Sequence, residues 1–195
     1  MTVQELSIAF IHRLPVMLAM PNKPRVRYRE ILYLEYSRQK DGHKRVNAGL
    51  IDDKASSSIT VARLKYLEPC LNDYSEDNGD TYTYNTAEED YQNTRPLIIN
   101  TEYKEAFDKL LPVEIKVEAR KLSAEVQQRL IGCVMNDKTL TLKFPYIQRL
   151  KIYLDQNREP ILYADFDLGV DIPVEDIKVI TIEEYYTRNI KGDSV

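Results

Sequence analysis

The chain has few of the residues that usually carry recognisable chemistry. It contains no tryptophan, two cysteines and two histidines among its 195 residues. Cys70 and Cys133 lie far apart and outside any CxxC motif, which argues against a disulfide framework and a structural zinc site. His12 and His43 have no second histidine at ligand spacing and no Ser or Cys motif beside them, so a histidine-based triad has little support.

Glycine and long apolar runs are also scarce. The six glycines form neither GxGxxG nor GxxxxGK[ST], which argues against a Rossmann or P-loop nucleotide site. The apolar stretch 6–20 is interrupted by His12, Arg13 and Pro15, so we expect neither a secretory signal nor a transmembrane helix. We therefore expect a cytoplasmic protein, or one within a virion, that needs no cofactor and does not bind a membrane.

The overall composition indicates an ordinary soluble globular protein. Hydrophobic residues make up 43% of the chain and charged residues 30%, with a formal net charge of -4. This acidic balance disfavours nucleic-acid binding over the whole surface, although a local basic patch stays possible. The length suits one medium domain or two small ones.

Local patterns predict a short N-terminal helix followed mainly by strands. Thr2 and Glu5 fit a capping box, and Pro15 should end or kink the helix that follows. A turn over 39–42 contains the hairpin signal Asp41-Gly42. We predict a second helix over 101–111, ended by Pro112. The predicted strands cover 25–36, 44–52, 58–67, 113–119, 129–135, 139–144, 146–154, 160–166 and 177–182.

Two segments resemble each other across the chain. Gly49–Lys54 leads into a Thr-containing strand, and Gly132–Lys138 does the same. A glycine within a strand often marks a bend where a small barrel curls. The fold prediction is therefore mainly β with a few helices, as two small SH3- or Sm-like β-barrel halves. The alternatives are coincidence between two ordinary hairpins and a single α+β domain.

An acidic, tyrosine-rich segment separates these halves. Residues 66–94 contain no lysine or arginine, and we interpret them as a linker or long loop. The predicted domains are 1–69 with the first barrel, 70–100 as the linker, and 101–195 with the second barrel. Because tyrosine buries area while keeping a polar tip, the segment is a candidate partner-binding element. The candidate partner-binding tyrosines are Tyr74, Tyr82, Tyr84 and Tyr91.

A second candidate contact is the uncharged stretch from Leu14 to Met20. One interpretation is that it covers the core. The other is that it docks on a partner, because methionine-rich apolar surfaces adapt to binding. The docking candidates are Leu14, Val16, Met17, Leu18 and Met20.

A basic strip lies in the first predicted strand. Residues 22–48 hold eight basic and three acidic side chains, and Arg25, Arg27 and Arg29 fall on one strand face. With Lys44 and Arg45, these arginines are candidates for contacts to nucleic-acid phosphates. The alternative is that the strip pairs with the acidic segment 66–94 or with an acidic partner.

Asp165, Asp167 and Asp171 form the one carboxylate cluster that suggests chemistry. Asp165 and Asp167 share a strand face and are weak candidates for holding Mg²⁺ or Ca²⁺. The alternative is a solvated strand edge and turn.

Three functions follow, in order of preference. The first is a non-catalytic interaction or assembly module, a subunit or adaptor of a larger complex that forms homo- or hetero-oligomers; a phage or mobile-element structural component is one instance. The second is a nucleic-acid-associated regulator that uses the basic strand. The third is a metal-dependent enzyme built on Asp165 and Asp167.

Overall fold

The computed structural model describes residues 1–39, 41–52, 58–77, 79–87, 102–131, 139–168 and 170–190. The fold is mainly β with several sheets, as the sequence predicts. The chain divides into two compact units. The first comprises Met1–Ile98 with Ile152–Ile161, and the second comprises Ile99–Lys151 with Leu162–Val195. The first unit therefore takes residues 152–161 from the half predicted to form the second barrel.

The described chain consists mainly of successive strands, with a few helices among them. The helices are α1 (Val3–Ile11), α2 (Glu102–Lys109), α3 (Ala124–Ile131) and α4 (Ile182–Ile190), with a helical turn over 84–87. The strands are β1 (Val16–Leu18), β2 (Val26–Tyr28), β3 (Glu30–Arg38), β4 (Lys44–Ile51), β5 (Ile59–Arg63), β6 (Leu67–Pro69), β7 (Tyr74–Asp77), β8 (Asp80–Thr83), β9 (Val113–Glu118), β10 (Thr139–Phe144), β11 (Arg149–Leu154), β12 (Pro160–Asp165), β13 (Asp171–Pro173) and β14 (Ile177–Val179). Short 3-10 helices cover Leu64–Tyr66, Ala119–Lys121 and Val174–Asp176.

The N-terminal helix begins at the predicted capping box. The Thr2 hydroxyl accepts a hydrogen bond from the Glu5 amide at 3.1 Å, and the Glu5 carboxylate accepts one from the Thr2 amide at 2.6 Å. The helix ends at Ile11, ahead of Pro15, because Arg13 adopts a positive φ of 52°. Beyond this point the chain enters β1.

The first unit builds its core between α1 and antiparallel sheets. In one sheet β1 lies between β2 and β6, and in another β4 joins β3 to β5. β11, whose 152–154 end belongs to this unit, lies next to β3. β7 and β8 form a separate hairpin. The largest fully buried side chains of this core are Phe10, Leu14, Val16, Ile31, Leu50, Leu67 and Ile152.

Gly49 allows the ring of Tyr33 to pack closely against the backbone of β4. It lies opposite Tyr33 in the β3–β4 register, and an added Cβ would lie 2.3 Å from the Tyr33 ring. Tyr33 keeps only 7% of its surface exposed, and its ring centroid lies 5.2 Å from that of Tyr153. The glycine is thus required by the aromatic ring that covers it.

The second unit contains the clearest predicted strand. Val113, Ile115 and Val117 are buried while the residues between them are more exposed, which confirms the predicted period of two. This strand, β9, lies between β10 and β14 in an antiparallel sheet, and β12 pairs with β13.

Several predictions of local structure are wrong. The strand predicted over 25–36 is two strands, β2 and β3, which belong to different sheets. Residues 129–131 belong to α3 rather than to a strand, because a short apolar run does not by itself distinguish a helix from a strand. The predicted linker 66–94 contains β6, β7 and β8 instead of forming one long loop. Its tyrosine and threonine side chains favour strands although the segment is acidic.

Other predictions have a coarser outcome. Among the described residues no sheet closes into a barrel, so the structure supports the mainly β class alone. The described residues exclude most of the two segments that resemble each other. They leave out Gly132–Lys138, which contains Cys133, and part of Gly49–Lys54. No helix in the described ranges is both long and apolar enough to cross a membrane.

Candidate functional site

The apolar stretch from Leu14 to Met20 contributes mainly to the core of the first unit. Leu14 and Val16 are completely buried and Leu18 is 8% exposed, whereas Met17 and Met20 are half-buried. Of the five docking candidates, a surface partner can therefore reach only the two methionines. The reason is the strand period of β1, which turns Val16 and Leu18 inward and Met17 outward.

The arginines of the basic strip meet carboxylates. Arg25 lies 3.3 Å from Glu68, and Arg27 lies 2.7 Å from Asp73. Both acidic residues belong to the segment 66–94, so these contacts correspond to the intramolecular alternative. Arg29 pairs with the adjacent Glu30 at 2.8 Å.

Strand register explains why these charges meet. Met17 in β1 lies opposite Arg27 of β2 on one side and opposite Glu68 of β6 on the other. Residues opposite each other in antiparallel strands point to the same face. The outer face of this sheet therefore carries the basic strand and an acidic strand with one methionine between them.

Lys44 and Arg45 are not part of this cluster. They lie at the start of β4, opposite Arg38 and Ser37 of β3, in a different sheet from β2. Lys44 is exposed and Arg45 is half-buried.

The tyrosines of the acidic segment have different surroundings. Tyr74 is 59% exposed, whereas Tyr84 is 4% exposed and donates a hydrogen bond to the Pro15 carbonyl at 2.8 Å. Burial of the Tyr84 hydroxyl raises its pKa well above the ordinary value. Tyr91 lies outside the described residues.

Tyr82 attaches the β7–β8 hairpin to the body of the first unit. Its ring centroid lies 4.6 Å from the His12 ring, and the Arg158 guanidinium lies 4.3 Å from the ring centroid. Ser75, opposite Tyr82 in the hairpin, donates a hydrogen bond to the His12 carbonyl. This face of the hairpin is therefore occupied. The other face carries Tyr74.

Leu71 is an exposed side chain that lines two small cavities. It is 60% exposed, and it borders a cavity of about 240 Å³ and another of about 200 Å³. The larger cavity is lined by Met17, Arg25, Glu68, Pro69, Cys70, Leu71, Asn72 and Asp73. The smaller one is lined by Thr2, Gln4, Glu5, Ile8, Leu71, Tyr84 and Asn85.

The structure brings the aspartates of the second unit together with two cations. Arg149 lies 2.6 Å from Asp165 and 2.9 Å from Asp167, and Lys151 lies 2.8 Å from Asp171. These residues line an open cavity of about 450 Å³. Because each carboxylate already faces a protein cation, the local charge that would attract Mg²⁺ or Ca²⁺ is reduced. Within the described ranges, no group of three or more His, Cys, Asp or Glu residues is arranged to hold a metal ion.

Sequence reasoning did not identify Leu71 or the cations Arg149 and Lys151. Leu71 stands alone in a polar stretch, so no periodic pattern marks it. Arg149 and Lys151 could have been found, because they alternate along the predicted strand 146–154. The expected shared strand face of Asp165 and Asp167 is wrong, because β12 ends at Asp165 and Asp167 lies beyond it with a positive φ of 58°.

Comparisons with known proteins give no independent indication of function. No protein-family model matches the chain, and no curated protein or solved structure matches it significantly.

Proposed function

We propose that this chain is a non-catalytic interaction module, a subunit or adaptor of a larger protein complex. The observation that carries the proposal is the pair of large exposed side chains Leu71 and Tyr74, at 60% and 59% exposure. We define the Leu71 surface as Leu71, Tyr74, Glu68 and Glu76 with the two cavities that Leu71 borders.

Elementary energetics support binding at the Leu71 surface. Burying a leucine side chain is favourable by roughly 1.5–3 kcal/mol, and tyrosine is enriched where interfaces bury apolar area beside polar groups. The two cavities lie beside Leu71, so an approaching chain meets an exposed leucine side chain and two depressions. This combination of an exposed side chain and cavities suits shape-complementary contact with another polypeptide.

The experiment is a selection from a display library of protein fragments encoded by the source organism. The library is selected on the wild-type chain, and each recovered fragment is then assayed for binding to the L71S/Y74S variant. A matched control is I182S/Y186S, because Ile182 and Tyr186 in α4 are 63% and 60% exposed. All four side chains are exposed, so we expect both variants to fold.

The proposal expects fragments that bind wild type and I182S/Y186S but not L71S/Y74S. If no fragment binds, or if the fragments bind L71S/Y74S as well as wild type, this function is contradicted. Urea unfolding of each variant separates loss of binding from loss of fold.

Nucleic-acid binding is the second candidate function. Arg27 lies in β2, and Arg25 and Arg29 flank that strand with side chains that are 69% and 58% exposed. The internal ion pairs of Arg25 and Arg27 compete with phosphate contacts. The test is salt-dependent binding of an oligonucleotide, which R25A/R27A/R29A should weaken for many sequences alike. Unchanged binding by this triple variant contradicts the second candidate.

The finer fold proposal is that each half is a small SH3- or Sm-like barrel. Gly49 supports it, because strand glycines are typical of the bends where small barrels curl. The described sheets are open, and an experimental structure with closed strand order in each half is the required test.

A further inference from the structure

We propose that the Leu71 surface binds a cationic segment of a partner protein that carries Lys or Arg side chains beside apolar ones. This inference rests on the proposed function and specifies the chemistry of its partner. It depends on three features: the size of the two cavities, the charge of the surrounding segment, and the way the hairpin is attached.

The sizes of the cavities favour side chains over a small molecule. Small-molecule sites commonly enclose about 300–1,000 Å³. The cavities on either side of Leu71 have volumes of about 240 and 200 Å³. Each is therefore suited to one or two side chains, and a polypeptide crossing Leu71 can place apolar side chains in both.

The charges around Leu71 favour a cation. Residues 66–94 contain no lysine or arginine, and Glu76 is exposed on the outer face of the hairpin. Glu68 lines the larger cavity and Glu5 lines the smaller one. Two arginines nearby pair with Glu68 and Asp73, so the excess negative charge of the surface lies on Glu5 and Glu76. Complementary charge directs partner choice and association rate.

The hairpin presents its outer face in a fixed orientation. On the inner face, Ser75 and Tyr82 contact His12, and Arg158 lies over the Tyr82 ring. Alternation along β7 then places Tyr74 and Glu76 together on the outer face. Because the inner contacts hold the hairpin, binding to its outer face requires less ordering of the chain.

The test is selection of short random peptides displayed on phage against wild type, L71S/Y74S and three charge variants. E68K/E76K reverses two charges of the Leu71 surface. E175K/D176K is the matched control, because Glu175 and Asp176 are exposed acidic residues in the second unit. E68Q/E76Q removes the charge without reversing it, and it is used if E68K/E76K does not fold.

On wild type and on E175K/D176K, Lys plus Arg should be enriched about twofold or more over the input library, beside Leu, Ile or Met. E68K/E76K should select acidic peptides instead, and E68Q/E76Q should lose the enrichment. Neutral or acidic peptides on wild type, or the same peptides on E68K/E76K, would overturn the proposal.

Failure of this inference is distinguishable from failure of the proposed function. Peptides that require Leu71 but carry no excess of Lys and Arg would leave the interaction module in place and reject the cationic partner. Absence of any peptide that requires Leu71 rejects both. Peptides that match the basic stretch 22–48 of this chain, together with a dimer by light scattering, would identify a second copy as the occupant and overturn the partner proposed here.

Discussion

The Nε atom of Arg27 lies 2.7 Å from Oδ2 of Asp73, and this ion pair joins the basic strand β2 to the acidic segment that follows β6. The two regions with the strongest local charge thus neutralise each other in part within one unit. The pair bears directly on function, because a guanidinium engaged with a carboxylate is less available to a phosphate.

The Arg27–Asp73 pair should contribute a small coupling energy. Both side chains are more than a third exposed, so we expect a double-mutant cycle with R27A and D73A to give about 0.2–1 kcal/mol. Urea unfolding at low salt is the measurement, and the coupling should fall at high salt. A cycle on the more exposed Arg25 and Glu68 should give a smaller value. A coupling that does not change with salt would contradict an electrostatic origin.

Gly49→Ala should destabilise the first unit by about 1–3 kcal/mol, because the new methyl group would overlap the Tyr33 ring. Chemical unfolding of the variant measures the change. In a Tyr33→Ala background the same substitution should cost much less, since the overlapping ring is gone. If Gly49→Ala costs the same in both backgrounds, the contact with Tyr33 is not the reason for the glycine.

Tyr84→Phe should lower the free energy of unfolding at neutral pH by about 1–2 kcal/mol, since it removes the hydroxyl that donates to the buried Pro15 carbonyl. Burial raises the pKa of Tyr84 in the folded state above its unfolded pKa of about 10. Its stabilising contribution is therefore fully present below that unfolded value and is lost as the pH rises through the folded value. The difference in unfolding free energy between wild type and Tyr84→Phe should therefore narrow when urea unfolding is measured at alkaline pH. The exposed variant Tyr74→Phe is the control and should show no such trend.

Glu184→Gln should destabilise α4 in a pH-dependent way. The Thr181 amide donates to the Glu184 carboxylate at 2.8 Å, and this hydrogen bond is the main reason that the pKa of Glu184 is lowered. Because the pKa of Glu184 is lower in the folded state, its carboxylate stabilises the fold at pH values above the unfolded pKa of about 4.3. This stabilisation is lost as the pH falls through the folded pKa. The difference in unfolding free energy between wild type and Glu184→Gln should therefore disappear at acidic pH. Glu183→Gln, in the same turn, is the control; an equal effect there would contradict the role of the hydrogen bond between Thr181 and Glu184.

Much of the secondary structure follows from local sequence. The Thr2–Glu5 cap, the hairpin turn around Asp41-Gly42 and the alternation in β9 are all found in the structure. Each is a short-range pattern with a direct physical cause. The β7–β8 hairpin was not predicted, although its sequence contains Asn78-Gly79, a strong hairpin signal.

The candidate site depends more on tertiary structure. Sequence reasoning grouped Tyr74, Tyr82 and Tyr84 because they share one segment. In the structure they separate, because Tyr74 and Tyr82 lie on opposite faces of the hairpin and Tyr84 is buried. The ion pairs of Arg25 and Arg27 join residues 43 and 46 positions apart, and only the pairing of β1 with both β2 and β6 brings them together.

The most direct test of the proposed interaction module is the dissociation constant of one selected fragment, measured by calorimetry with three forms of the full chain. Wild type and I182S/Y186S should bind alike, and L71S/Y74S should bind about tenfold more weakly or worse. Equal binding by all three forms would contradict the assignment of the interface to the Leu71 surface. Equal weakening by both double variants would contradict it as well.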